Sequence, residues 1–135
     1  MKKTIAVFIA LTCLITFVCL VGCQPDNRSP QEKAADSAST LVETKLEGKN
    51  LTKYKIEGLK YHEQYDKYTY TLKATILSSD DMVDDLTRII VAGSINDTIT
   101  DCIYDILKEA DVHLAVSFYT EAGRLIALSF DGKLE

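Results

Sequence analysis

The sequence predicts a small α+β domain: an N-terminal helix followed by ββ-αα-ββ, with a mainly antiparallel four-stranded sheet that carries its helices on one face. Three observations lead there. Four segments alternate apolar and polar residues with the period of a strand. Between the second and third of them, apolar residues recur with the period of a helix. A capped, alanine-rich stretch precedes them all.

Ser29-Pro30-Gln31-Glu32 has the make-up of a helix start. Ser29 can cap the first turn, Pro30 falls where no N–H is needed, and Glu32 is spaced to return a bond to the cap. Ala34, Ala35, Ala38, Leu41, Val42 and Leu46 then form one stripe, and Gly48 is a stop. A helix this weakly apolar either packs on the domain or stands as a stalk.

In the first strand, Tyr54 and Ile56 oppose Lys53, Lys55 and Glu57. Gly58 shifts the phase, as a bulge does, so that Leu59 and Tyr61 continue the apolar face. The second strand is the most regular: Tyr68, Tyr70, Leu72, Ala74 and Ile76 alternate with Thr69, Thr71, Lys73 and Thr75. Residues 62–67 are expected to turn a hairpin between the two. In the third strand Val112, Leu114, Val116 and Phe118 are expected to face inward, and in the fourth Ile126, Leu128 and Phe130. The turn at residues 120–124 joins these two, with Gly123 free to take a left-handed conformation.

The intervening region offers two capping pairs, Ser78 with Asp81 and Ser94 with Asp97. Met82, Val83, Leu86, Ile89 and Ile90 form one stripe; Ile95, Ile99, Cys102, Ile103, Ile106, Leu107 and Ala110 form another. One helix over residues 80–110 would run about 45 Å at ~1.5 Å per residue, past the ~20 Å of an average strand, so two helices with a break near Gly93 are expected. Cys102, at an apolar helical position, is expected to be a small buried hydrophobe.

The chain begins differently. Lys2 and Lys3 lead into an almost wholly apolar run from Thr4 to Val21, which ends in Leu20-Val21-Gly22-Cys23. A positive start, an apolar middle and a small residue at the end are the marks of a secretory signal. Leu20, Val21, Gly22 and Cys23 resemble the lipobox of bacterial lipoprotein precursors at all four positions. The resemblance covers residues 1–23. It implies a diacylglyceryl group on the Cys23 sulfur, cleavage before Cys23, and often acylation of the new amino terminus with a fatty acid such as palmitate. Several acyl chains make such attachment lasting, since one alone is marginal. The competing reading is an uncleaved span, for which the apolar run is close to the minimum of ~17–20 residues.

The expected organisation is a lipoprotein signal peptide at 1–22, a lipidated tether at 23–29, an Ala-rich helix or stalk at 30–48, and the α+β domain at 49–135. The location is the extracytoplasmic face of a bacterial membrane. Gln24 after the lipidated Cys leans toward the outer membrane if the host is Gram-negative. Of the four cysteines, Cys13 and Cys19 leave with the signal, and the lipid on Cys23 leaves Cys102 no partner for an intramolecular disulfide. Removing Lys2 and Lys3 takes the formal net charge from −5 to −7. So acidic a chain, without a basic cluster, argues against nucleic acid.

Charge is unevenly spread. Residues 45–73 hold seven basic and four acidic residues, and residues 80–111 hold two basic and nine acidic. The first group falls on the outer sheet face, so Lys53, Lys55, Lys60, Lys73, Thr69 and Thr71 form the candidate interaction face. Its partner would be acidic: lipid head groups, an anionic envelope polymer or a protein. Asp80, Asp81, Asp84 and Asp85 complement a helix dipole, and their spacing is not that of a calcium loop. Asp97, Asp101 and Asp105 read as one wet helical stripe. Of the five tyrosines at 54, 61, 65, 68 and 70, most occupy core positions, and Tyr65 lies exposed in a loop.

There is no nucleophile elbow, metalloprotease motif, phosphate loop or Cys/His ligand spacing. His113 and Ser117 would sit two pleats apart, about 13 Å, too far for a nucleophile–base bond. The sequence therefore predicts no catalytic residues, no metal and no cofactor. It predicts a non-catalytic, lipid-anchored envelope lipoprotein that binds membrane lipid through Cys23 and an envelope protein or polymer through its sheet face. A small-ligand sensor or exclusion-type lipoprotein is the alternative, and an envelope hydrolase the third.

Overall fold

A computed structural model of the chain describes residues 25–77 and 84–135. Leu20, Val21, Gly22, Cys23 and Gln24 lie outside the described residues, as do Ser78, Asp80, Asp81, Met82 and Val83. In chain order the elements are α1 (Pro30–Leu41), a wide turn (Val42–Leu46), β1 (Thr52–His62), β2 (Lys67–Ile76), α2 (Asp85–Glu109), β3 (Val112–Thr120), β4 (Leu125–Phe130) and β5 (Lys133–Leu134).

The class is α+β, with helices packed against the sheet's core face. The layout differs from four antiparallel strands. There are five, in spatial order β1-β2-β3-β4-β5. The β1–β2, β3–β4 and β4–β5 pairs are antiparallel, but the β2–β3 pair is parallel. A parallel pair needs a crossover of a dozen residues or more, and residues 77–111 supply one.

That crossover also explains why α2 is a single helix. β2 is 10 residues long, so the chain must travel back about 33 Å before β3 can start beside it. The 25 residues of α2 span about 37 Å. β1, β2 and β3, at 11, 10 and 9 residues, are longer than average, so the length argument for two helices fails. Gly93 and Ser94 lie inside the helix, and Ser94 accepts a bond from the Thr98 hydroxyl at 3.0 Å rather than capping a new start. The cap is Asp84, whose carboxylate accepts from the Thr87 N–H at 2.6 Å. That hydrogen bonding holds the Asp84 carboxyl below its ordinary pKa.

α1 begins as its sequence predicts. Ser29 Oγ accepts from Glu32 N–H, and Glu32 accepts from Ser29 N–H at 2.7 Å. The helix is part of the core. Ala34, Ala35, Ala38, Val42 and Leu46 are buried together with Ile95, Ile99, Ile103 and Leu107 of α2, over Tyr70, Leu72, Leu114, Val116 and Phe118 of the sheet. Small alanines let the two helices lie side by side on one sheet face. The last turn widens, with Glu47 N–H bonded to Val42 O at 3.0 Å.

Two inward assignments are corrected. In β4 it is Ala127 and Ser129 that face the core, while Leu128 and Phe130 are half exposed on the other side. A register shift opposite Phe118 and Tyr119 places Ile126 in a bulge, partly buried. α2 passes close to β4 here, with Asn96 Nδ2 donating to Gly132 O at 2.9 Å, so only small residues fit beneath it. In α2, Leu86, Ile89 and Ile90 are exposed, and the first buried residue is Ala92. The helix is longer than the nine-residue β3 on which it packs, about 30 Å, and its first turns overrun the sheet.

Candidate functional site

The helices leave one face of the sheet open. Register places its residues in rows. In β1 and β2, Lys53 lies opposite Thr75, Lys55 opposite Lys73, Lys60 opposite Thr69, and His62 opposite Lys67. The bulge at Gly58, which has φ +86, puts Glu57 out of the pairing and keeps Lys60 on the same face as Lys55. Across the parallel pair, Thr69 neighbours His113, Thr71 neighbours Ala115, and Lys73 neighbours Ser117. All six residues of the candidate face lie on this side. Lys53, Lys55 and Lys60 are exposed, Lys73 and Thr71 are half-buried, and Thr69 is buried between its neighbours.

The electrostatics of this face are unusual for so acidic a chain. Among the described residues, none of Lys53, Lys55, Lys60, Lys67 or Lys73 forms an ion pair with a carboxylate; the ion pairs lie elsewhere. Lys73 Nζ sits 4.1 Å above the Tyr119 ring instead. Lys55 and Lys73 are directly opposite, a like-charge cross-strand pair that is unfavourable on its own. The acidic residues have other roles. Asp84 caps α2, Asp85 pairs with Arg88 and Arg124, and Asp97, Asp101 and Asp105 are exposed on α2.

The same face turns apolar toward β4. Leu125, Leu128 and Phe130 are each close to half exposed, beside Tyr119 and Ala115. A cavity of about 460 Å³ opens where the two halves meet, lined by His62, Tyr65, Lys67, Thr69, His113 and Phe130. A second, of about 390 Å³, shares Phe130 and runs on past Thr71, Ser117, Leu128 and Glu135.

The first cavity gathers both histidines of the chain. Sequence reasoning set His113 against Ser117, which does share its face. The partner of His113 is Asp131, with Nδ1 to Oδ2 at 2.7 Å. The His113 ring stacks on Phe130 at 5.1 Å between centroids. With Nδ1 engaged, Nε2 is the ring nitrogen left for a ligand. Tyr65, at the β1–β2 hairpin, is two-thirds exposed, as its loop position predicts. Nearby, Tyr61 donates to the Asp66 carboxylate, which raises the Tyr61 pKa, and its ring lies 4.8 Å from that of Tyr68. Tyr70 is the fully buried tyrosine, while Tyr54 and Tyr68 are half-buried against the core. Cys102 is likewise partly buried against it.

One signal for this site was present in the sequence. Asp131-Gly132 is a two-residue hairpin turn of the type in which both residues have positive φ, here +49 and +81. It creates β5 and delivers Asp131 to His113. The meeting of His62 with His113 depends on the parallel β2–β3 pairing, which no local pattern announces.

The arrangement defines a two-layer α+β module with one open, half-basic and half-apolar sheet face. No family model matches the chain, and neither a curated protein nor a solved structure is significantly similar to it. Among the described residues, no helix is long and apolar enough to cross a membrane.

Proposed function

We propose that this protein is a lipid-anchored module on the extracytoplasmic side of a bacterial membrane, which binds an acidic envelope partner through the open face of its sheet without catalysing a reaction. The anchor would be Cys23, on the resemblance of Leu20, Val21, Gly22 and Cys23 to a lipobox. Gln24 favours the outer membrane in a Gram-negative host. The observation that carries the contact surface is the set of lysines at 53, 55, 60, 67 and 73, which have no carboxylate partner among the described residues. An acidic partner would relieve the Lys55–Lys73 opposition and gain the attraction that no internal carboxylate supplies. The apolar strip at Leu125, Leu128 and Phe130 would add buried area.

The test has two parts. The intact mass of the mature protein should correspond to a chain starting at a diacylated Cys23, and Cys23→Ser should release the protein from membranes. Lys55→Glu with Lys73→Glu should abolish recovery of crosslinked partners from intact cells. An unmodified mass would overturn the anchor, and an unchanged set of partners would overturn the surface.

A further inference from the structure

We propose that the trough centred on Phe130 is a binding site for an acidic glycan, with sugar rings against Tyr65 and Phe130 and their carboxylates or phosphates held by Lys67 and His62. The proposal rests on the outer face being the contact surface and names what that surface takes.

Four features support it. The first cavity is lined by rings: Tyr65, Phe130 and the two imidazoles, with Thr69 and the Lys67 stem. The aromatic faces dominate this first cavity, and aliphatic side chains such as Leu128 enter only in the second. A pyranose presents a face of weakly positive C–H groups that suits the negative face of an aromatic ring. Second, the ring platform is set in advance. Asp131 fixes His113 at 2.7 Å, and His113 stacks on Phe130 at 5.1 Å, so little order has to be imposed on binding.

Third, the site continues along the face. A second cavity of about 390 Å³ shares Phe130 with the first, of about 460 Å³, and is lined further on by Thr71, Ser117, Leu128 and Glu135. This suits consecutive units of a chain better than one small molecule. Fourth, lysines flank the trough. Lys67 lines it beside the His62 ring, and Lys60 lies opposite Thr69 in its floor. Lys55 and Lys73 continue the basic lane along the neighbouring strands. A polymer with a negative charge on each ring unit would meet Lys67 at the first cavity and Lys60, Lys73 and Lys55 along β1 and β2, on the side of the face away from Glu135.

The test uses the full mature chain in detergent micelles, titrated with a short oligogalacturonate as the acidic probe. Arms with a neutral oligosaccharide of matched length, inorganic phosphate and anionic phospholipid vesicles run alongside. Two-dimensional NMR reads the His62 and His113 rings, and the part of the tyrosine fluorescence change that disappears in Tyr65→Ala reads Tyr65, one of seven tyrosines in a chain without tryptophan. The oligogalacturonate should bind saturably and shift both histidine rings. Tyr65→Ala and Lys67→Glu, both at exposed positions, should each weaken it by about tenfold, the loss of one good anchor.

The site is overturned if the neutral sugar binds equally well, if phosphate alone produces the same shifts, or if only vesicles bind. Self-association of the chain without any added glycan response would equally overturn it. If these groove variants leave partner recovery intact while Lys55→Glu with Lys73→Glu abolishes it, the broader contact surface survives and the glycan assignment falls. If neither set has any effect, both fall.

Discussion

His113 Nδ1 lies 2.7 Å from Asp131 Oδ2, a bond that ties the first residues of β3 to the β4–β5 turn. The other Asp131 oxygen accepts from Leu114 N–H at 3.0 Å, and Asp131 N–H donates to Leu114 O at 2.8 Å. One residue therefore joins β3 to the β4–β5 turn and orients an imidazole on the open face. Asp131→Ala should lower stability by about 1–3 kcal/mol, because a backbone N–H and a ring N–H lose their acceptor. Asp131→Asn keeps an acceptor and tolerates positive φ, so it should lose less. Urea denaturation gives the free energies, and NMR line widths of the His113 ring should broaden in the alanine variant alone.

Gly132 sits under two constraints. Its φ is +81, and a Cβ there would approach Thr100 Cγ2 to 2.9 Å. Gly132→Ala should cost about 1–2 kcal/mol for the backbone alone, and more with the contact. In a Thr100→Ala background the contact part should vanish. The pair should therefore be non-additive in a double-mutant cycle, measured by chemical denaturation. Additive losses would show that the contact contributes nothing.

Gly93 is the counterpart. It lies inside α2, and a Cβ there would meet no atom within 4 Å beyond its chain neighbours and the helix's own backbone. Gly93→Ala should therefore stabilise the protein by about 0.5–1 kcal/mol through helix propensity. A helix that broke at this position would be destabilised by the same change, so the shift in the urea midpoint separates one helix from two.

Burial raises the pKa of the Tyr70 phenol, and its hydroxyl lies 2.9 Å from Ser39 Oγ. A group whose folded pKa is raised contributes stability that is fully present below its unfolded pKa and is lost as pH rises through the folded value. Tyr70 starts from a reference of 10.0, so its contribution should hold at neutral pH and fade above about pH 10. Tyr70→Phe should cost about 1 kcal/mol at pH 7. It should also reduce the alkaline loss of stability, followed by circular dichroism from pH 7 to 11.

Much of the fold could be read from local pattern because local chemistry decided it. The Ser29–Glu32 box, the bulge at Gly58, the alternation of β2 and the turn at Gly123 each follow from a few neighbouring residues. What escaped was decided elsewhere in the molecule. Leu128 and Phe130 are larger and more apolar than Ala127 and Ser129, yet α2 leaves room only for the small pair beneath it. The parallel β2–β3 pairing is permitted by the length of the crossover but not dictated by it, and the single helix α2 follows from strands that exceed the average length. The candidate lysines were found because alternation assigns a face. The histidine-lined trough is not legible in the same way, because it depends on three strands in register and on the position to which the Asp131-Gly132 turn delivers its carboxylate.

The most direct measurement is site-specific photocrosslinking in living cells, with the reactive residue placed at Lys55 on the open face or at Asp101 on the acidic helix face. Position 55 should give a discrete crosslinked species in the membrane fraction, lost when Lys73 is changed to Glu, while position 101 gives none. Crosslinks from position 101 with silence at position 55 would place the contact on the opposite side of the domain and contradict the proposed surface.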